Sequence, residues 1–350
     1  MVARLIALEE GWQLCRRIVA PEWLLSLSVD TEKQRLIWSY LDLDKNVINR
    51  LRTEAPPLPC DPAVILPTCD LVFASTRGIS SFRLSTYAEQ LLVPADNNYM
   101  VRNLWVSPKD DLELLFIQSD LGMLSDASTA GKDIVHIVRE EAVLVSWHAN
   151  TGRSRIVSKF SSIPVFADVA WEHGAFFASL ANGEVIRCDL ESGVVSLRES
   201  LKAYSSVAVS PRGTLLTWDD MDSGVVETCQ DGTCSRLTPF GGFPAFSPGG
   251  EAMAFLRQNS ELWLKSSDGQ LHRIVAFPKT DSKIFDFPTW CHCGNHLAIN
   301  LVISGLGPVR QMLVVADFSQ RLVCMQERSS PASSGGRAWI PKIALCRQHC

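Results

Sequence analysis

Short apolar runs, each closed by a turn signal, repeat along this chain and set its expected architecture. The run Phe243-Pro244-Ala245-Phe246 meets the turn Ser247-Pro248-Gly249-Gly250. A second run spans Ala252 to Leu256, and Glu261-Leu262-Trp263-Leu264-Lys265 then alternates with the period of two that a strand requires. Asp268-Gly269 supplies a hairpin turn, because glycine reaches the positive φ such turns need. Leu271-His272-Arg273-Ile274-Val275 completes the unit. Short antiparallel strands joined in fours by tight turns make one blade of a β-propeller.

The unit recurs. Val207-Ala208-Val209-Ser210-Pro211-Arg212-Gly213 opens a second copy, with Asp231-Gly232 as its later hairpin. Phe287-Pro288-Thr289-Trp290-Cys291-His292-Cys293-Gly294 opens a third, and Leu104-Trp105-Val106-Ser107-Pro108 another. Val169-Ala170-Trp171-Glu172-His173-Gly174 and Val64-Ile65-Leu66-Pro67 are weaker copies. Anchors at 171, 209, 246 and 290 lie about 40 residues apart, the spacing of a four-stranded blade. Further anchors near 25, 65, 105 and 339 bring the expectation to an all-β, closed β-propeller of seven or eight blades, one domain over residues 1–350.

Ser-Pro-x-Gly before an apolar strand, followed by an alternating strand and Asp-Gly, resembles the TolB-type, WD40-like propeller repeat. The copy at 243–275 follows that pattern most closely, and the copy at 207–237 follows it in its first half and in its closing Arg236-Leu237-Thr238. The Asp of the family's Ser-Pro-Asp-Gly is replaced throughout. The resemblance implies a scaffold that binds partners or caps a separate catalytic domain.

Ring closure is expected at the termini. Ala338-Trp339-Ile340-Pro341 reads as the first strand of a blade and Lys342 to Cys346 as its second. Leu5 to Leu8 and Leu14 to Val19 would supply the missing strands, so both chain ends would share one blade and leave no open edge. The interval from Trp105 to Trp171 is too long for one blade, and its excess, 119–141, reads as a protruding loop.

Composition narrows the function. Hydrophobic residues make up 46% and charged residues 20% of the 350-residue chain, a globular balance. A net charge of -5 gives no basic stripe for nucleic acid and tolerates a basic protein partner. No apolar run is long enough to span a bilayer, and the start, closed by Glu9-Glu10, does not read as a signal peptide. Eleven irregularly spaced cysteines fit reduced, buried thiols in a cytoplasmic protein better than a disulfide set. Cys229 and Cys234, on the two arms of one hairpin, are expected to remain thiols.

Catalytic signatures are missing from the sequence: it holds no Gly-x-Ser-x-Gly elbow, no phosphate loop and no His-Glu-x-x-His. Cys291, His292, Cys293 and His296 look metal-like, as do Cys346, His349 and Cys350, but Cys-x-Cys departs from zinc-site spacing. The first group also occupies the turn position of its blade, so it is expected to pack there without metal. Neither a cofactor nor an enzymatic site is expected. Trp105, Trp171, Trp290 and Trp339 share one blade position and read as core.

One surface carries a functional hint. Loops joining second to third strands, and blade to blade, should share a face bearing Asp96, Asp120, Asp126, Asp133, Asp219, Asp220, Asp222, Asp281 and Asp286. A one-sided acidic surface attracts basic proteins. The reading is a monomeric protein-binding propeller that neutralises a basic partner, as an immunity protein does for a toxic nuclease. The alternatives are a scaffold subunit of a larger complex, and a propeller enzyme with its site in the central channel.

Overall fold

The structure is a computed structural model. It describes residues 6–15, 22–30, 35–42, 47–52, 63–65, 70–75, 77–83, 88–95, 99–107, 112–120, 142–200, 206–218, 222–229, 231–278, 282–291, 294–303, 310–328 and 343–347.

Strands account for most of these residues. In chain order they are β1 (Ala7–Leu8) and β2 (Gln13–Cys15); β3 (Glu22–Asp30), β4 (Arg35–Asp42) and β5 (Val47–Arg52); β6 (Ala63–Ile65), β7 (Asp70–Ser75), β8 (Gly78–Arg83) and β9 (Ala88–Pro94). Next come β10 (Tyr99–Val106), β11 (Glu113–Asp120), β12 (Ala142–His148) and β13 (Arg153–Phe160), then β14 (Pro164–Ala170), β15 (Ala175–Leu180), β16 (Glu184–Asp189) and β17 (Val195–Ser200). The last are β18 (Ser206–Val209), β19 (Leu215–Trp218), β20 (Val226–Thr228), β21 (Cys234–Arg236), β22 (Gly242–Phe246), β23 (Met253–Arg257), β24 (Glu261–Lys265), β25 (Leu271–Ala276), β26 (Ser282–Trp290), β27 (His296–Ile303), β28 (Arg310–Asp317), β29 (Leu322–Arg328) and β30 (Ile343–Arg347). Among the described residues the only helical segment is a 3₁₀ turn, Trp171–His173.

The described strands group into seven sheets, each built on four antiparallel strands. Five of the sheets take four consecutive strands: β6–β9, β10–β13, β14–β17, β18–β21, and β22–β25. A sixth is β26–β29, and the seventh runs β30-β3-β4-β5. The chain divides into two compact units, one of residues 1–57, 220–227 and 234–350, the other of 58–219 and 228–233.

The sequence pattern explains which strand goes where. Second strands are largely apolar on both faces, as Ala175 to Leu180 and Met253 to Leu256 show, because neighbouring sheets cover both sides. Fourth strands are polar: β13 reads Arg-Ser-Arg-Ile-Val-Ser-Lys-Phe, and its first four residues are exposed. Between sheets the side chains interdigitate. Ala254, Leu256, Val275, Leu297, Ile299 and Val314 form one core in the first unit. Leu115, Ile117, Leu144, Phe176, Ala178 and Ile186 form another in the second. Trp105 meets Phe176 edge-on at 5.6 Å between ring centroids, and Trp290 stacks on Phe318 at 5.0 Å. Trp290 Nε1 also donates to the Ala245 carbonyl of the preceding sheet at 2.9 Å. Trp171 packs on the same core as Trp105, and Trp339 lies outside the described residues.

The repeated turn has one geometry with two chemistries. Ser210 N donates to Thr214 O at 3.0 Å, Gly213 N returns to Ser210 O at 2.9 Å, and Ser210 Oγ accepts the Thr214 N–H at 3.2 Å. Ser247 repeats this with Ala252 and Gly250. Cys291 repeats it again, and its Sγ accepts the His296 N–H at 3.2 Å where the other turns use a serine oxygen.

Several expectations about the ends and loops need correction. β1 and β2 do not complete a C-terminal blade. β1 adds antiparallel to β25, and β2 adds parallel to β29, each as a fifth strand. It is β30 that joins the N-terminal strands, pairing Ile343 with Ser26 and Arg347 with Glu22. The strand after the anchor at 339 thus shares a sheet with the anchor near 25, and the two do not seed separate sheets. Residues 16–19 and 338–341 lie outside the described residues. The interruption after β11 is shorter than 119–141, because Ser119 and Asp120 still pair with Met100 and Tyr99. Residues 121–141 lie outside the described residues.

Candidate functional site

The acidic loop face is placed only in part. Asp96, Asp126, Asp133, Asp219, Asp220 and Asp281 lie outside the described residues. Asp222 sits in a turn with its side chain exposed. Asp120 ends β11. Asp286 departs from the expectation: it lies within β26, where the register with β27 shifts between Phe285 and Thr289, and not in a loop. The interrupted pairing, not a chain reversal, is what the Phe-Asp-Phe-Pro sequence produces there, since proline cannot donate to the ladder.

The Cys-His segment is enclosed. Cys291 is fully buried and His296 nearly so. His296 Nδ1 lies 3.9 Å from Cys291 Sγ, and its Nε2 lies 3.4 Å from Asp317 Oδ2. Burial works against the Asp317 charge. Bonds from Ser319 Oγ (2.7 Å) and Gln320 N (3.0 Å), with His296 alongside, outweigh it and hold the pKa below its usual 3.8. A thiol, an imidazole and a carboxylate thus stand in a row, but the row ties β27 to the ends of β26 and β28. No group of three or more metal-ligating side chains occurs among the described residues. His292 and Cys293 lie outside them, as do His349 and Cys350. Cys229 and Cys234 are not joined in a disulfide; the first is half-buried and the second exposed. Cys229 N donates to Thr233 O at 2.9 Å, which makes Thr233 its partner across the hairpin.

A cleft opens in the second unit where β15 begins and β16 ends, beside the Trp171–His173 turn. Register places its groups. Phe177 lies across from Asp168 on β14 and from Arg187 on β16, so the three share one face of their sheet. That face packs on Val207 and Leu215 of β18 and β19. Ala175, Phe177 and Arg187 form one wall of the cleft, and Thr214, Leu215, Thr228 and Cys229 the other. His173, in the 3₁₀ turn, covers it beside Gly213. The glycine is required twice over. Its φ is +71°, and a Cβ there would lie 2.1 Å from His173 Cδ2.

Asp168 does not neutralise Arg187. Its Oδ1 accepts the Val169 N–H and its Oδ2 the Val209 N–H, each at 2.8 Å, which clamps β14 to β18. Desolvation pushes its pKa up to about 6, against the lowering effect of those two bonds.

The exposed large apolar side chains among the described residues are Leu91, Ile156, Val194 and Val195. They fall on the fourth strands β9, β13 and β17 or on the turn entering β17. Arg155 donates to the Leu190 and Glu191 carbonyls at 2.7 and 2.9 Å, so that turn lies against β13. Neither His173, Arg187 nor this rim stands out in the sequence. Each depends on which face or edge of a strand is left uncovered, and only the packing decides that.

No protein-family model matches this chain, and no curated protein does. Solved structures match it at the level of fold. It is similar to an oligogalacturonate lyase in complex with manganese, with 12% identity, 88% of this chain and 90% of that one covered, and a TM-score of 0.59. It is similar to a functionally unknown protein from Desulfotomaculum acetoxidans DSM 771, with 13% identity, 92% and 99% coverage, and a TM-score of 0.55. TolB from Acinetobacter baumannii matches with 12% identity, 89% and 79% coverage, and a TM-score of 0.48. The lyase, like this chain, is built from β-propeller sheets, and at such identity the likeness concerns the fold alone.

Proposed function

We propose that this protein is a non-catalytic, protein-binding β-propeller that holds its partner on the outer rim of its sheets. The observation that carries the reading is the difference between rims. β25 and β29 are each covered by an added strand from the N-terminal segment, whereas β9, β13 and β17 expose Leu91, Ile156, Val194 and Val195. Exposed apolar side chains beside open strand edges are places where another polypeptide gains by burying them. The propeller is taken as one closed ring of seven blades, with β30 completing the sheet of β3, β4 and β5. A protein of this kind is monomeric on its own.

The test is affinity capture from the native cell, followed by binding kinetics with the purified partner. The triple variant Leu91→Ser, Ile156→Ser, Val194→Ser should weaken binding at least about tenfold, since each buried aliphatic side chain contributes about 1.5–3 kcal/mol. Its melting should be unchanged. If the rim variant binds as the wild type does while Asp219→Asn, Asp220→Asn, Asp222→Asn slows association at low salt, the acidic loop face is the binding surface instead. That second outcome would also point to a basic partner and revive the neutraliser reading.

A further inference from the structure

We infer that the cleft beneath His173 is a carboxylate-binding site, distinct from the rim that takes the partner. Arg187 is its centre. The guanidinium lines the cleft and has no hydrogen bond or ion pair among the described residues. Two carboxylates near it in sequence or register are committed elsewhere. Asp168 is held by the Val169 and Val209 N–H groups. Asp189 feels the Arg187 charge, yet its Oδ1 is taken by Ser192 N at 2.8 Å and Ser192 Oγ at 2.7 Å. The cation is half-buried and faces an open cleft with no carboxylate bonded to it, so a further anion there would offset its desolvation.

The surroundings favour a bound anion. Phe177, Ala175 and Leu215 give the cleft apolar walls, which strengthen an ion pair relative to bulk water. The guanidinium presents two parallel N–H groups, a fork that matches a carboxylate bidentately. His173 stands over the opening, and it can do so only because residue 213 has no side chain.

Cys229 lines the same cleft, and Cys234, exposed, provides a reference thiol in the same chain. This permits a direct test on the full chain. Iodoacetate carries a carboxylate and iodoacetamide does not. In either case the thiolate displaces iodide, the thiol proton goes to buffer, and a thioether forms. With Arg187 holding its carboxylate, iodoacetate should react with Cys229 faster than iodoacetamide by a ratio about tenfold above that at Cys234, the factor one charge-assisted bond supplies. Arg187→Gln should bring the two ratios together, and Arg187→Lys should restore part of the difference. A melting curve on each variant confirms that the sheet remains folded.

Competition separates the two sources of carboxylate in a polypeptide. N-acetylglycine offers a chain-end carboxylate, and the α-amide of N-acetylglutamate offers a side-chain one. Protection of Cys229 by either, lost in Arg187→Gln, supports the site and identifies the source. Equal alkylation ratios at Cys229 and Cys234 in the wild type, or a ratio unchanged by Arg187→Gln, overturns it. Neither result bears on the rim, so this site and the partner-binding reading fail separately.

Discussion

Asp168 joins β14 to β18 through two backbone N–H groups, and its charge is the costly part of that clamp. Its folded pKa, about 6, exceeds the 3.8 of an unfolded chain, so the native state binds the proton more tightly. This contribution is therefore fully present below pH 3.8 and is lost as pH rises through 6, by about 3 kcal/mol at most. Asp168→Asn does not titrate. Urea unfolding from pH 4 to 7.5 should show the stability difference, variant minus wild type, rising with pH, and a flat difference would contradict the assignment. Gly213→Ala should cost about 1–3 kcal/mol, from its left-handed backbone and from the ring of His173 beside it. Cys291→Ser should be nearly neutral, because serine already performs this role at 210 and 247. Cys291→Val removes the acceptor for His296 N–H and should cost about 1–3 kcal/mol by thermal or chemical melting.

Elements at the two chain ends have different duties. β1 and β2 lie on the outside of sheets that already have four strands. Deleting residues 1–15 should leave a cooperative melt at lower temperature and should promote self-association, because β25 and β29 then expose unpaired N–H and C=O groups. β30 is instead an integral strand beside β3. Deleting residues 343–350 should strip one edge of that sheet and lower stability more than the N-terminal deletion does. Equal melting of the two truncations would refute this division. The bond from Trp290 to Ala245 O links neighbouring sheets, and Trp290→Phe should lose about 1 kcal/mol while keeping the stack on Phe318.

At the scale of the whole molecule, four-stranded sheets packed face on face give many short, non-local pairings and almost no helix. Far-ultraviolet circular dichroism should be dominated by strand. A propeller gains rigidity from sheet-to-sheet burial, so function can be placed on edges and turn ends without reshaping the core. The rim of β9, β13 and β17 and the cleft at Arg187 are both such places. Rim substitutions should change the dissociation rate of a partner far more than the melting temperature, since exposed side chains cost under about 0.5 kcal/mol of stability.

The sequence by itself determined the four-stranded repeat and where the sheets between the chain ends begin. Alternation and Ser-Pro-Gly or Asp-Gly turns are local, and local chemistry is what a sequence displays. The equivalence of Cys291 to Ser210 and Ser247 was legible for that reason, as was the role of Trp105, Trp171 and Trp290 in the core. Tertiary structure alone decided the partners of the end segments, because Leu14 would form a strand equally well beside β29 or in a C-terminal blade. It also decided the cleft. Arg187 reads in sequence as one more polar residue of a strand. The commitment of Asp168 to Val209, forty-one residues away along the chain, keeps that carboxylate from pairing with the guanidinium across the sheet. Charge pairing and exposed edges depend on which distant residues arrive at a surface, and no local pattern encodes that arrival.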